Sequence, residues 1–332
     1  MSLLTAIRNS ETAAVAILTS RCLRYRFRHS SCARCLNECP ARALRLEKGK
    51  IVLDAKRCGS CLACAAVCPT EALLVNDSSL AGDQDSSTDA EPLSFCCEKG
   101  IRTGKEIVLP CLGALSEEHL AAYAVRRPLG VQLRIAPCAT CRTSFIPELL
   151  HRRLAALAGK LDGGISARIR LVDQKDENGH AGPAAGRRLF FRAFWALSRH
   201  TATETAATLR DEGRQEKAHA HKHRPSRFSL LRRTMAVTPD PAMVQALARL
   251  FFTLRANEAC TFCGRCAGMC PTGAIKNSRE EDQKRLHFLW PNCSGCGLCL
   301  EACGPRALTL VAGRRPETLA TDQEILLQAD RA

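Results

Sequence analysis

The sequence predicts an α+β fold: a small cysteine-rich unit towards each end, a small α/β unit between them, and a linker that is part helical and part flexible. Three observations predict it. Cysteines recur at two- and three-residue gaps in four runs, and each run leads into a short apolar strand or helix. Between the paired runs, short apolar segments alternate with helical patterns and end in cysteines, as in a parallel α/β sheet. The stretches separating these units, 76–92 and 176–255, carry no cysteine.

The C-terminal pair of runs is the most regular. Cys260, Cys263, Cys266 and Cys270 precede Pro271, and Cys293, Cys296, Cys299 and Cys303 precede Gly304-Pro305. Both runs have the C-x2-C-x2-C-x3-C spacing that wraps a cubane iron–sulfur cluster. Thiolates are soft donors that suit iron in sulfide-bridged clusters, and glycines such as Gly264, Gly295 and Gly297 let the backbone lie close to the sulfurs. Zinc is the bland alternative; four thiols at this spacing, twice per unit, fit cubanes better. Nearer the N-terminus, Cys58, Cys61, Cys64 and Cys68 form a complete run before Pro69, whereas Cys32, Cys35 and Cys39 lack their first member. His29 stands in its place. The tails PARALRL, PTEALLV, PTGAI and GPRALTL repeat after the four runs. Ahead of the incomplete run, Leu23, Tyr25 and Phe27 alternate with Arg24, Arg26 and Arg28, which predicts a half-buried strand.

These runs resemble the bacterial two-cluster (2[4Fe-4S]) ferredoxins over residues 20–78 and again over 256–312. The resemblance implies two ferredoxin-like domains in which the fourth cysteine of each run ligates the neighbouring cluster. Carried over, Cys58, Cys61, Cys64 and Cys39 hold one [4Fe-4S] cluster. Cys260, Cys263, Cys266 and Cys303 hold another, and Cys293, Cys296, Cys299 and Cys270 a third. The fourth has Cys32, Cys35 and Cys68, and three readings stay open for its remaining position: a thiolate from Cys22, a nitrogen from His29, or a site with three irons. Thiolate is the commoner cubane ligand, but a straight strand over 22–29 would carry Cys22 about 23 Å away, so that reading needs a bend.

Residues 93–175 follow a different rule. Leu93–Phe95 runs into Cys96-Cys97, Ile107–Leu109 into Pro110-Cys111, and Val131–Ala136 into Pro137-Cys138-Ala-Thr-Cys141. Helices are predicted over 116–125, with Ser116 and Glu118 as start signals, and over 147–158; another strand is predicted at 167–172. Cysteines at the ends of successive strands sit where such sheets place ligands. The arrangement is similar to the iron–sulfur (delta) subunit of methyl-viologen-reducing hydrogenases and their relatives. That resemblance implies a fifth centre, a [2Fe-2S] cluster held by Cys111, Cys138, Cys141 and one of Cys96 or Cys97. Structural zinc and a thiol redox pair are the alternatives. A redox CxxC belongs at a helix N-terminus, and here the helix begins several residues later.

In the linker, Arg187, Arg188, Arg192 and Arg199 interleave with Phe190, Phe191, Phe194 and Trp195, a basic amphipathic helix that would pack on its own protein or dock on a partner or membrane surface. His219, His221 and His223 alternate in a basic, polar stretch that reads as solvated linker, with metal binding as the alternative. Pro241 after Asp240 opens a helix leading into the second ferredoxin-like unit, and the last twenty residues read as a short helical tail. Residues 76–92 are acidic and poor in apolar side chains, a flexible connection.

The formal charge of +15 counts cysteines as neutral. Four or five clusters with thiolate ligands would remove roughly 8 to 10 charges, so net charge does not argue for nucleic acid. The cysteine gaps are too short for ordinary disulfides, no charged leader with a cleavage site precedes the first domain, and no apolar run is long enough to span a bilayer. The expectation is a reduced, cytoplasmic, anaerobic protein. No phosphate loop, dinucleotide fingerprint or Ser/His/Asp set is present. The chain therefore reads as an electron carrier or electron-transfer subunit, serving a hydrogenase, formate dehydrogenase or heterodisulfide-reductase-like complex. The alternative is a redox-sensing or accessory factor for an anaerobic molybdenum or tungsten oxidoreductase.

Overall fold

The structure, a computed structural model, describes residues 15–75, 91–100, 102, 104–161, 164–173, 222–280, 283–314 and 316–330. The N-terminal unit begins with β1 (Val15–Ile17), ahead of the predicted start at residue 20, and continues through α1 (Leu23–Arg26), α2 (Arg34–Glu38), β2 (Leu44–Glu47), β3 (Lys50–Leu53), α3 (Ala63–Ala66) and β4 (Leu73–Val75). β1 and β4 pair antiparallel, Val15 opposite Val75, and β2 and β3 form a hairpin. Its turn places Lys48 and Gly49 at φ 49° and 78°, the two left-handed residues that match hairpin twist.

Leu23–Phe27 is not a strand. The amides of Tyr25 and Arg26 both donate to the Cys22 carbonyl at 3.0 Å, closing a helical turn that buries Leu23 and Arg26. Those two residues are three apart, so one turn of helix puts both inward. The period of two over so short a stretch fitted a turn of helix as well as a strand. The bend this makes brings Cys22 back over the unit.

The central unit is a four-stranded, wholly parallel sheet in the order β6-β5-β7-β8, built from β5 (Leu93–Cys97), β6 (Ile107–Leu109), β7 (Val131–Arg134) and β8 (Ile169–Val172). α4 (Glu117–Arg126) and α5 (Ile146–Leu161) make the crossovers. Ser116 caps α4, its hydroxyl accepting from the His119 amide at 3.3 Å while His119 Nδ1 accepts from the Ser116 amide at 3.4 Å. The start signal at Ser116 holds; its partner is His119 rather than Glu118. α5 turns Ile146, Leu149, Leu150, Arg153, Leu157 and Leu161 inward, a helical stripe against the sheet. β7 stops at Arg134, two residues short of expectation, because Pro137 lies in a 3-10 turn at Ala136–Thr140.

After the second linker come α6 (Ser226–Val237), α7 (Pro241–Ala248), β9 (Phe252–Ala256), α8 (Arg265–Met269), β10 (Ile275–Glu280), β11 (Gln283–Leu289), α9 (Leu298–Ala302), β12 (Leu308–Ala312) and β13 (Gln323–Asp330). α6 falls in the segment expected to be linker, yet it packs on α4 and buries Phe228, Leu230 and Leu231. Phe228 also meets Phe251 at 5.8 Å between centroids. Asp240 caps α7, accepting from the Ala242 amide at 2.9 Å, with Pro241 in the first turn as expected. β9 and β12 pair as β1 and β4 do. The expected helical tail is instead β13, which adds to the open edge of β11 in the sheet β10-β11-β13. An edge strand offers a row of unpaired amides and carbonyls, and that outweighs weak local helical signals. Among the described residues no helix is long and apolar enough to cross a membrane. The predicted helix at 187–199, His219 and His221 lie outside the described residues.

Candidate iron–sulfur centres

The cysteine loops are made by a repeated backbone device. In the three complete runs, the residues two and four places after the first cysteine have positive φ: Ser60 and Leu62, Phe262 and Gly264, Gly295 and Gly297. These left-handed turns curl the chain so that successive thiols face one point. A second device follows the last cysteine of all four runs. The residue three places on is left-handed (Arg42, Glu71, Gly273, Arg306), and the alanine after it donates its amide to the cysteine sulfur. The N···Sγ distances are 3.4 Å for Ala43 to Cys39, 3.2 Å for Ala72 to Cys68, 3.3 Å for Ala274 to Cys270 and 3.3 Å for Ala307 to Cys303. Amides aimed at sulfur stabilise a thiolate and raise the potential of what it binds. The shared alanine of the four tails is the sequence trace of this device; nothing short of the backbone showed what it was for.

The turns gather the thiols into groups. Cys39 and Cys58 lie beside Cys61 and Cys64. Cys260, Cys263 and Cys303 lie beside Cys266. Cys270, Cys293 and Cys296 lie beside Cys299, and all four line one cleft with Thr272 and Ser294. In each group the last cysteine comes from the other run of the pair. Several of the buried thiols resist ionisation, while a hydrogen bond from the Arg265 backbone lowers the exposed Cys263. Burial, reinforced by neighbouring cysteines, pushes Cys266 up to about 11 and Cys296 up to about 12, and it raises Cys64, Cys293 and Cys299 as well. Buried thiols crowded in this way suit a cationic metal core, which would hold them as thiolates.

At the irregular site the structure brings Cys22, and not His29, to the other three cysteines. Cys22, Cys32, Cys35 and Cys68 line a cleft with about 420 Å³ of space, its open mouth included. Cys35 is pushed up to about 12 by burial and by Cys68, Cys32 and Cys22. His29 is exposed, accepts from Arg28 Nε at 2.8 Å and meets the Phe27 ring edge-on. Ser31 and Ala33, which would form the loop of a run opened by His29, lack the paired left-handed turns.

In the central unit Cys97, Cys111, Cys138 and Cys141 come together at the ends of β5, β6 and the turn after β7. Burial, then Cys97, Cys111 and Cys141, pushes Cys138 up to about 12. Cys141 is the exception: hydrogen bonds from the Thr143 side chain and backbone lower it, helped by Lys99, whose Nζ is 3.7 Å from the sulfur. Cys96 is fully buried beyond this group, nearer Glu106 and Arg102. Alternation along β5 sends neighbouring side chains to opposite faces, and that separates the vicinal pair.

The groups also neighbour one another in a fixed order. Cys111 of the central unit lies near Cys61, Cys64 near Cys35, Cys32 near Cys296, and Cys299 near Cys266. Close packing between units holds this order. Arg153 of α5 is buried and donates to the carbonyls of Gly113 and Leu115 at 2.8 and 2.7 Å and to Glu38 at 2.8 Å. A Cβ on Gly113 would lie 2.3 Å from the Cys61 carbonyl oxygen, so only glycine fits there. Arg227 of α6 donates to the Cys68 carbonyl at 2.7 Å and pairs with Glu118. Among the described residues Cys263, in the last group, is the one exposed cysteine.

Comparison with known proteins agrees with the two ferredoxin-type units. Residues 8–72 and 253–304 each match a family described as a 4Fe-4S dicluster domain. The pyruvate synthase subunit PorD of Methanocaldococcus jannaschii is 33% identical over 63 residues, which is 19% of this chain and 70% of that protein. No solved structure matches the chain. The two matched segments are the ones in which paired cysteine runs exchange their last thiols, and the chain thus belongs to the 4Fe-4S dicluster family of iron–sulfur electron-transfer proteins, whose domain it carries twice.

Proposed function

We propose that this protein is an electron-transfer subunit with five centres, serving an oxidoreductase complex. Four [4Fe-4S] clusters are assigned to Cys39/Cys58/Cys61/Cys64, Cys22/Cys32/Cys35/Cys68, Cys270/Cys293/Cys296/Cys299 and Cys260/Cys263/Cys266/Cys303. A [2Fe-2S] cluster is assigned to Cys97/Cys111/Cys138/Cys141. When bound by thiolates, such clusters take up and release single electrons without binding substrate. The observation that carries the reading is the order of the groups: each has a neighbouring group, and the units are packed so that none is isolated. Scattered structural sites would have no need of that.

The chain's own residues supply the rest. Left-handed turns aim the thiols, alanine amides brace the last sulfur of each run, and buried arginines lock one unit to the next. The strand-end cysteines in the central unit support the likeness to hydrogenase delta-type subunits, and PorD is by its name a subunit of pyruvate synthase. A partner of the hydrogenase, formate dehydrogenase or heterodisulfide-reductase kind fits both. Anaerobic purification with iron and sulfide counts and EPR of the reduced protein tests the reading. About eighteen irons, sixteen from cubanes and two more, are expected; zinc in place of the last two would overturn the fifth centre.

A further inference from the structure

The junction between the two ferredoxin-type units lies where their cysteine loops face each other. Arg34 sits within the first run, between Cys32 and Cys35, and helps line the cleft of the Cys22/Cys32/Cys35/Cys68 group. Its guanidinium reaches across the junction and donates to the Gly295 carbonyl at 2.6 Å, one residue before Cys296. There its positive charge acts on Cys296 of the other unit. Beside it the Ser31 amide donates to Glu301 Oε1 at 3.0 Å, and the Ser31 hydroxyl bonds the same oxygen. One cation therefore stands between two thiol groups that belong to different units.

We propose that Arg34 is a shared tuning residue: by its charge it sets the reduction potentials of the Cys22/Cys32/Cys35/Cys68 and Cys270/Cys293/Cys296/Cys299 centres together, across the junction. A centre becomes more negative when reduced, so a nearby fixed cation favours its reduced form. Arg26 reinforces this. It is buried, donates to the Ser20 carbonyl at 3.0 Å, and feels Cys270 and Cys296 of the opposite unit. Of the two, Arg34 is the better probe, because the Gly295 carbonyl that tethers it accepts from a neutral donor as readily as from a charged one.

This inference rests on the reading of these cysteines as cluster ligands, and the two can fail separately. The full chain, purified anaerobically, is compared with Arg34→Gln, Arg34→Lys and Ser31→Ala by iron content and by EPR-monitored redox titration. Iron content far below sixteen in the unaltered protein would sink the ligand assignment itself. With iron intact, Arg34→Gln is expected to move two midpoint potentials downward and leave the others in place. Arg34→Lys restores them, and Ser31→Ala changes neither. Loss of iron in Arg34→Gln that Arg34→Lys reverses would make the charge a requirement for holding a cluster rather than for tuning it, and would overturn the proposal. A shift in only one centre, no shift, or equal shifts in Arg34→Gln and Arg34→Lys would overturn the proposal.

Discussion

Cys22 and His29 both lie just upstream of the incomplete cysteine run, and burial separates them. Cys22 is held in the cleft with Cys32, Cys35 and Cys68, where burial, Cys68 and Cys32 raise its thiol, while His29 faces solvent. Cys22→Ser is therefore expected to lose up to about four irons or convert one cubane, and His29→Ala to lose none; an iron count with EPR separates the two. The same reasoning divides Cys96 from Cys97. Cys97→Ser should remove the central centre. Cys96→Ser should leave its spectrum in place and lower stability by about 1–3 kcal/mol, the cost of a buried hydroxyl without a good partner. Optical spectra and a thermal melt read those two outcomes. Sequence reasoning could reach neither decision, since it saw both members of each pair at plausible spacing.

The elements that carry the sites are loops of a few residues whose shape depends on left-handed backbone. Gly295 has φ 63°, and a Cβ there would come within 2.1 Å of the ring of Phe252, a half-buried residue of β9 that packs against Phe228 of α6. Gly297 has φ 78° but open space around it. Gly295→Ala should thus cost well over the roughly 1–2 kcal/mol expected of Gly297→Ala, where only left-handed strain is paid. Comparing the two by thermal unfolding, with iron content as a second readout, checks the difference. A similar drop in both would show that Phe252 can move aside. The turn at Leu23–Arg26 is a companion case. Its alternating sequence looked like a strand, but two amides closing on the Cys22 carbonyl made it helical, and that bend placed the thiol.

At the scale of the whole molecule, the chain entering α6 clasps the two ferredoxin-type units together. Lys222 Nζ donates to the carbonyls of Ala267, Gly268 and Cys270, and the His223 amide donates to the Pro271 carbonyl at 2.8 Å. His223 Nε2 is 2.9 Å from Glu71, which also accepts from the Ser226 amide and hydroxyl at 2.7 Å each. Burial alone would raise the Glu71 carboxyl, but hydrogen bonds from His223 and Ser226 and the charge of Arg227 outweigh it and hold it at about 2. A carboxyl depressed on folding stabilises the native state above its unfolded value near 4.5 and loses that contribution as pH falls towards 2. Glu71→Gln is expected to lower stability at pH 7 by about 1–3 kcal/mol. The gap between variant and unaltered protein should then close between pH 4.5 and 2. Denaturant melts across that range measure it, and a gap that stays constant would show that the clasp does not depend on the carboxylate.

Cysteine spacing by itself determined that the chain carries paired iron–sulfur runs, because ligand spacing on a short loop is a local property. Alternating strands and helices likewise foretold the central parallel sheet and the strand-end position of its cysteines. Tertiary structure alone brought Cys22 to the irregular group and Cys97, not Cys96, to the central one, and made α6 and β13 part of the body of the protein. It also placed Arg34 across the junction. Each of these depends on which face of an element meets another part of the chain. Contacts between residues as far apart as Arg34 and Gly295 leave no mark in local pattern; they exist only once the units have packed.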